Sequence, residues 1–160
     1  MSPLLPSQIN LNLVIAGGIN GSRDQQFYEK VKKLIVDLNL TEKVTILSNI
    51  SYESKCDLLQ NSDSFVYSAF REHFGIGICE AMEYNLPVVA VALGGPLEII
   101  DHGKNGLLCK PNSLSMSEQM LNLVLNKNGC YERIESNCKV NLDEKFGTKI
   151  FGENFNLLCN

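Results

Sequence analysis

The sequence has no block of basic residues: 14 Lys and Arg stand against 18 Asp and Glu, for a formal net charge of −4. Nucleic-acid binding through phosphate neutralisation needs a clustered positive surface, so that class is set aside. No run approaches the roughly 18 apolar residues of a membrane-spanning helix, and the longest clean stretch, Leu86–Leu93, is interrupted by Pro87. The start, "MSPLLPSQIN", has neither the basic flank nor the long apolar core of a secretory signal. There is no Cys-x-x-Cys, and neither of the two histidines stands at ligand spacing from a cysteine. The six cysteines (Cys56, Cys79, Cys109, Cys130, Cys138, Cys159) are irregularly spaced, which points to reduced, mostly buried thiols in a cytosolic setting. Gly-x-Gly-x-x-Gly, internal repeats and low-complexity tracts are missing as well.

What is present is an ordinary globular composition, 44% hydrophobic with 20% charged residues over 160 positions. A chain of that length buries roughly 68–70% of its unfolded surface, enough for one core without staples. "LNLVIA" (11–16), "VTIL" (44–47), "SFVYSA" (64–69), "PVVAVAL" (87–93) and "LLCKP" (107–111) read as strands. Between them, Phe27, Val31, Leu34, Ile35 and Leu38 form a helical stripe over 24–40, and Ser51–Gln60 reads as a second helix. A third helix follows the stretch "REHFGIGICEAM", and Pro96 is suited to the first position of a fourth. From Ser113 the pattern is helical: 115–126, about 129–145 and 147–158, with a loop near 126–130.

Strands alternating with helices through short loops specify an α/β fold, a Rossmann-like parallel sheet with helices on both faces and a helical C-terminal tail. The core is expected over residues 11–112, with 113–160 supplying the C-terminal helices of the same domain. Ligands of such sheets bind outside the carboxyl ends of the strands. Gly17-Gly18, the 71–77 loop and Gly94-Gly95 all fall on that edge.

"REHFGIGICEAM" carries the chemistry. Glu72 and Glu80 stand eight positions apart in an apolar run, with Gly75 and Gly77 between them. The glycines open backbone N–H groups and the positive end of a helix to an anion such as a diphosphate. Glu72 could then accept from sugar hydroxyls, and Glu80 could grip a ribose. A capping role suffices for Glu98. His73 reads as a packed loop residue, His102 as an exposed turn residue, and Asp101 and Lys104 as turn residues. Gly17-Gly18 alone reads as a tight turn needing positive φ.

The phrases "EHFGIGICEAM" and "PVVAVALGGPLEIIDHGKNGLLCKP" resemble the donor-binding half of retaining GT-B glycosyltransferases. More narrowly they are similar to the α-1,3/1,6-mannosyltransferases of dolichol-linked oligosaccharide assembly. The Glu-x7-Glu frame fixes the class, and "GGPLEIIDH" narrows it. The resemblance covers most of 11–112 and, more loosely, the tail. It implies that Glu72 contacts the donor sugar as the catalytic-site carboxylate and Glu80 the ribose. The backbone of Phe74, Gly75 and Ile76 would hold the diphosphate, and Gly17 and Gly18 would line the pocket. The implied donor is GDP-mannose and the reaction retaining. No metal is expected, in keeping with the lack of an Asp-x-Asp pair. The implied acceptor is a lipid-linked oligosaccharide held by an N-terminal domain, at the cytoplasmic face of the endoplasmic reticulum membrane. The chain is expected to begin about one strand-helix unit into the donor domain, leaving the family's basic diphosphate clamp outside it. The alternative is a non-catalytic nucleotide-sugar-binding or interaction module that keeps the fold.

Overall fold

Pairing of short apolar runs through helices gives the order β1 (Leu13–Gly17), α1 (Ser22–Asp37), β2 (Val44–Ser48), α2 (Tyr52–Gln60), β3 (Phe65–Tyr67), α3 (Ile76–Glu83), β4 (Val88–Val91), α4 (Pro96–Ile99), β5 (Leu107–Cys109), α5 (Ser113–Val124) and α6 (Cys130–Phe146). This is a computed structural model, and it describes residues 10–150. The helix expected over 147–158 and Cys159 lie largely or wholly outside the described residues. The chain divides into two compact units, one up to Cys56 and the other from Asp57 onward.

In the first unit β1 and β2 pair in parallel, from Leu13 opposite Val44 to Gly17 opposite Ser48. The helix between them opens after Gly21, where Asp24 Oδ2 accepts the Asn20 amide at 3.0 Å. Its expected apolar stripe is covered only in part. Val31 and Ile35 are half-buried, whereas Phe27, Leu34 and Leu38 are exposed. A two-stranded ladder presents too narrow an apolar face to cover a stripe five residues wide.

In the second unit β3, β4 and β5 form a parallel sheet in that order, with Phe65 opposite Val88 and Val89 opposite Leu107. The central strand, β4, is buried along its whole length, as its unbroken Val-Val-Ala-Val run requires. Ile78, Ala81 and Met82 of α3, Ile99 of α4, Leu123 of α5, and Ile134 and Cys138 of α6 close on it. Each large aliphatic side chain so buried stabilises the fold by about 1.5–3 kcal/mol. The five described cysteines are free; Cys109, Cys130 and Cys138 are buried.

Asparagine ends three of the helices. Asn39, Asn85 and Asn126 have φ of 55°, 57° and 45°. Each donates to the carbonyl three residues back, and the residue after it donates five residues back: Leu40 to Ile35, Leu86 to Ala81, Lys127 to Asn122. That is the Schellman closure, here with asparagine in the left-handed position usually given to glycine.

The loop after α4 is more than a turn. Asn105 is fully buried; its side chain accepts the Asp101 amide at 2.7 Å and donates to the Ile99 carbonyl at 3.1 Å. His102 is exposed, yet its Nδ1 accepts the Leu108 amide at 2.9 Å and so fixes the entry to β5. Asp101 receives the Lys145 ammonium at 2.8 Å, and the same ammonium donates to the Glu98 and Ile99 carbonyls. The end of α6 thereby caps the end of α4. No helix of the described residues is long and apolar enough to cross a membrane.

Candidate functional site

Because β3 and β4 run parallel, the loops that leave their carboxyl ends emerge at one edge of the sheet. The loop after β3 holds Glu72, His73 and Phe74; the loop after β4 holds Gly94 and Gly95. The two are in backbone contact. The Gly95 amide donates to the Glu72 carbonyl at 3.1 Å. A Cβ on Gly94 would lie 2.2 Å from the Glu72 carbonyl oxygen, and one on Gly95 would lie 2.0 Å from that of Phe74. Real side chains do not approach so closely, so "GGP" is a bed on which residues 72–74 lie. The two sequence phrases are one structure.

Gly75 sits in the left-handed region, φ 102° and ψ 47°, immediately before α3, and no side chain caps the helix start. The chain turns there so that the first amides of α3 face the end of the loop. Ile76, the first helical residue, is exposed, as is Phe74, while Gly75 is buried. Phe74 meets Phe146 of α6 edge to face, with ring centres 5.5 Å apart.

The Glu72 carboxylate is held on both oxygens. Oε2 accepts the Tyr67 hydroxyl, and Oε1 accepts the Phe74 amide at 3.1 Å. These bonds, the Tyr67 hydroxyl foremost, hold the Glu72 carboxyl below its ordinary value against the opposing effect of burial. Tyr67 moves the other way, pushed up to about 12, by burial first and then by its bond to Glu72 and the charge on it. The pair is therefore a neutral phenol donating to an ionised carboxylate. Glu80, one turn into α3, is half-buried.

Glu72, Phe74, Gly75, Ile76 and Glu80 are thus brought to one loop–helix junction. Gly17 and Gly18 belong to the other unit. There they line a groove of about 400 Å³ with Ile15, Arg23, Phe27 and Tyr28 among others. Neither has positive φ, so the turn does not need glycine for its backbone angles. Asn49, which follows β2, shapes it instead: its side chain accepts the Ile19 amide at 2.8 Å. His73 is exposed rather than packed. Glu98 is exposed in the single turn of α4, and the Gly95 amide that a capping carboxylate would take donates instead to the Glu72 carbonyl. Among the described residues no group of three or more His, Cys, Asp or Glu gathers where it could hold a metal ion.

Two features are not evident from the sequence. Tyr67 could have been noticed from the alternation in "SFVYSA", which puts it on the same face of β3 as Phe65; the two rings stack at 6.1 Å. The bracing of residues 72–74 by Gly94-Gly95 has no local signal, because it depends on a contact twenty residues away.

In parallel α/β sheets ligands bind at the carboxyl edge and anions favour helix starts, and it is at that edge that the glycine-turned start of α3 and the ordered Glu72 carboxylate lie. The chain belongs to the family described as glycosyl transferases group 1, whose model matches residues 2–140. It is 38% identical over 110 residues to the human alpha-1,3/1,6-mannosyltransferase ALG2, a match covering 68% of this chain and 26% of that protein. To the Dictyostelium discoideum alpha-1,3/1,6-mannosyltransferase ALG2 it is 33% identical over 148 residues, 91% of this chain and 35% of the relative. The chain thus spans about a quarter to a third of the length of these relatives. Among solved structures, Anabaena Alr3699/HepE in complex with UDP superposes with a TM-score of 0.81 at 23% identity, covering 96% of this chain and 41% of that one. That likeness establishes the fold.

Proposed function

We propose that this chain is the nucleotide-sugar-binding part of a retaining mannosyltransferase that uses GDP-mannose and passes mannose, in α-1,3 or α-1,6 linkage, to a dolichol-linked oligosaccharide. The observation that carries the reading is the Glu72 carboxylate, ionised and fixed at the start of α3 on a backbone braced by Gly94 and Gly95. The identity to alpha-1,3/1,6-mannosyltransferases supports the choice of sugar and acceptor class.

In this reading the Ile76 amide and the start of α3 hold the diphosphate, with the helix end adding its partial positive charge. The Phe74 amide, expected from the sequence to join them, is engaged by Glu72 Oε1 and serves the carboxylate instead. Glu80, one turn on, accepts from the ribose hydroxyls. Glu72 accepts from hydroxyls of the mannose and orients it. As the bond to the sugar breaks, negative charge grows on the departing diphosphate, and the helix start stabilises it there. The acceptor oxygen attacks the anomeric carbon from the face the diphosphate leaves, and its proton goes to the leaving phosphate. No metal is assigned a part. Acceptor binding belongs to an N-terminal domain, and association with the cytoplasmic face of the endoplasmic reticulum membrane to the whole protein. The second reading is a module that binds the nucleotide sugar without turnover.

Calorimetric titration with GDP, GDP-mannose, UDP and UDP-glucose tests the donor. GDP-mannose is expected to bind more tightly than either uridine nucleotide and to protect amides 72–80 from hydrogen exchange. Tighter binding of UDP-glucose would overturn the choice of donor, and protection elsewhere would overturn the site. In an active full-length enzyme, Glu72→Ala and Glu80→Ala should each lower transfer by at least a hundredfold, a loss of roughly 2.7 kcal/mol of transition-state stabilisation. Loss in both variants supports the roles given to the two carboxylates, and transfer within a few-fold of wild type would overturn them.

A further inference from the structure

Tyr67 stands one turn of loop away from Glu72 and outside every motif in the sequence. It is the last residue of β3, so its backbone is fixed by pairing with Ala90 of β4. Its ring is stacked on Phe65 and runs along the first turn of α3, where a Cβ on Gly77 would rest 3.5 Å from the ring. From that rigid seat its hydroxyl donates to Glu72 Oε2, while the Phe74 amide takes Oε1.

We infer that Tyr67 is a positioning residue for sugar recognition, which sets the plane of the Glu72 carboxylate and so the direction in which its oxygens meet hydroxyls of the donor sugar. The inference rests on the reading of Glu72 as the sugar-gripping residue. The geometric reason is where the grip falls: the Tyr67 hydroxyl and the Phe74 amide take different oxygens of the carboxylate, and the His73 and Gly75 amides add to the hold from the backbone side. A carboxylate held by one oxygen still turns about its long axis; held on both, it does not. A pair of neighbouring hydroxyls then meets two acceptors at fixed spacing, without the loss of side-chain freedom that ordering a mobile glutamate on binding would cost. The direction of the Tyr67 shift agrees, since the phenol keeps its proton and remains a donor throughout the neutral range.

Tyr67→Phe keeps the ring and its packing and removes only the hydroxyl. The test is calorimetry of the 160-residue chain, wild type, Tyr67→Phe, Glu72→Ala and the double variant, each with GDP and GDP-mannose, with thermal melts to establish folding. Tyr67→Phe should weaken GDP-mannose about tenfold, the value of one hydrogen bond to a charged group. GDP should change less than about twofold, within the scatter expected of a site that keeps its contacts. In the Glu72→Ala background, Tyr67→Phe should have no further effect, because a positioning residue acts only through the residue it positions. A scaffold role predicts otherwise: both nucleotides weakened alike, or the same loss with and without Glu72. Either result overturns the inference, as does a Tyr67→Phe variant that binds GDP-mannose like wild type while Glu72→Ala does not. If Glu72→Ala itself leaves the preference for GDP-mannose over GDP intact, or if the wild type binds neither, it is the reading of Glu72 that fails, and the role of Tyr67 with it.

Discussion

Gly95→Ala sets two physical effects against each other, and the structure says which wins. Gly95 has φ −50° and ψ −39°, ordinary right-handed helical angles just ahead of α4. Judged by backbone angles alone, alanine should stabilise by about 0.4–1 kcal/mol, because it narrows the unfolded ensemble. The added Cβ, however, would lie 2.0 Å from the Phe74 carbonyl oxygen and 2.3 Å from its carbon. Non-bonded heavy atoms rest at about 3.5 Å, so the two loops must part by roughly 1.5 Å. Parting breaks the 3.1 Å bond from the Gly95 amide to the Glu72 carbonyl, about 1 kcal/mol. It also disturbs the buried Pro96 and Ile99 beneath, an overpacking cost of about 1–3 kcal/mol. The net expectation is a loss of about 2–3 kcal/mol, or some 4–12 °C in melting temperature for a chain of this size. The sequence has no tryptophan, so the assay is circular dichroism on heating, with Gly103→Ala as control. Gly103 has φ +79° but nothing within 4 Å of where a Cβ would stand, and should lose only about 1–2 kcal/mol for the strained angle. A Gly95→Ala protein as stable as wild type, or more so, would refute the close approach of the two loops.

Asn85 holds the Schellman closure of α3 at φ 57°. Asn85→Gly should be neutral or stabilising by a few tenths of a kcal/mol, and Asn85→Val should cost about 1–2 kcal/mol, both read as shifts in urea midpoint. The Cys138 thiol is buried against the Leu86 and Asn105 carbonyls and is pushed up to about 12, by burial first and then by the charge of Glu135. Near pH 9, where an unfolded thiol is half ionised, native Cys138 should resist iodoacetamide while Cys56 reacts, and denaturant should abolish the difference; equal native rates would count against its burial. The linked stability is whole below the unfolded value of 9.0 and is lost as pH rises from there toward about 12.

The parallel α/β order was legible because β4 is apolar throughout and every strand is bounded by turn residues; boundaries came within a few residues. The loop–helix junction was legible because Glu72, Gly75 and Glu80 are neighbours along the chain. What stayed hidden was what depends on partners distant in sequence. Asn105 looks like a turn residue in "HGKNG", and only the carbonyl of Ile99 and the amide of Asp101 explain its burial. In the sequence Gly94 and Gly95 are a glycine-rich loop ahead of a helix, and only the backbone of residues 72–74 explains why neither can carry a side chain. The apolar stripe of α1 was visible, but how far β1 and β2 would cover it was not, because stripe periodicity gives the facing direction and not the width of what it faces. Asparagine as a helix-ending residue was in plain view three times. Asparagine also marks loops, and Asn49 and Asn128 have positive φ without ending a helix, so only the bond five residues back distinguishes the two uses.

The last turn of α6 leans on the ligand edge from behind: Lys145 holds the end of α4, and Phe146 touches the ring of Phe74. Linkage makes such an arrangement reciprocal. A ligand that ordered residues 72–74, as the proposed function has it, would order the end of α6 in the same measure, and an α6 end held in place would favour that ligand in return.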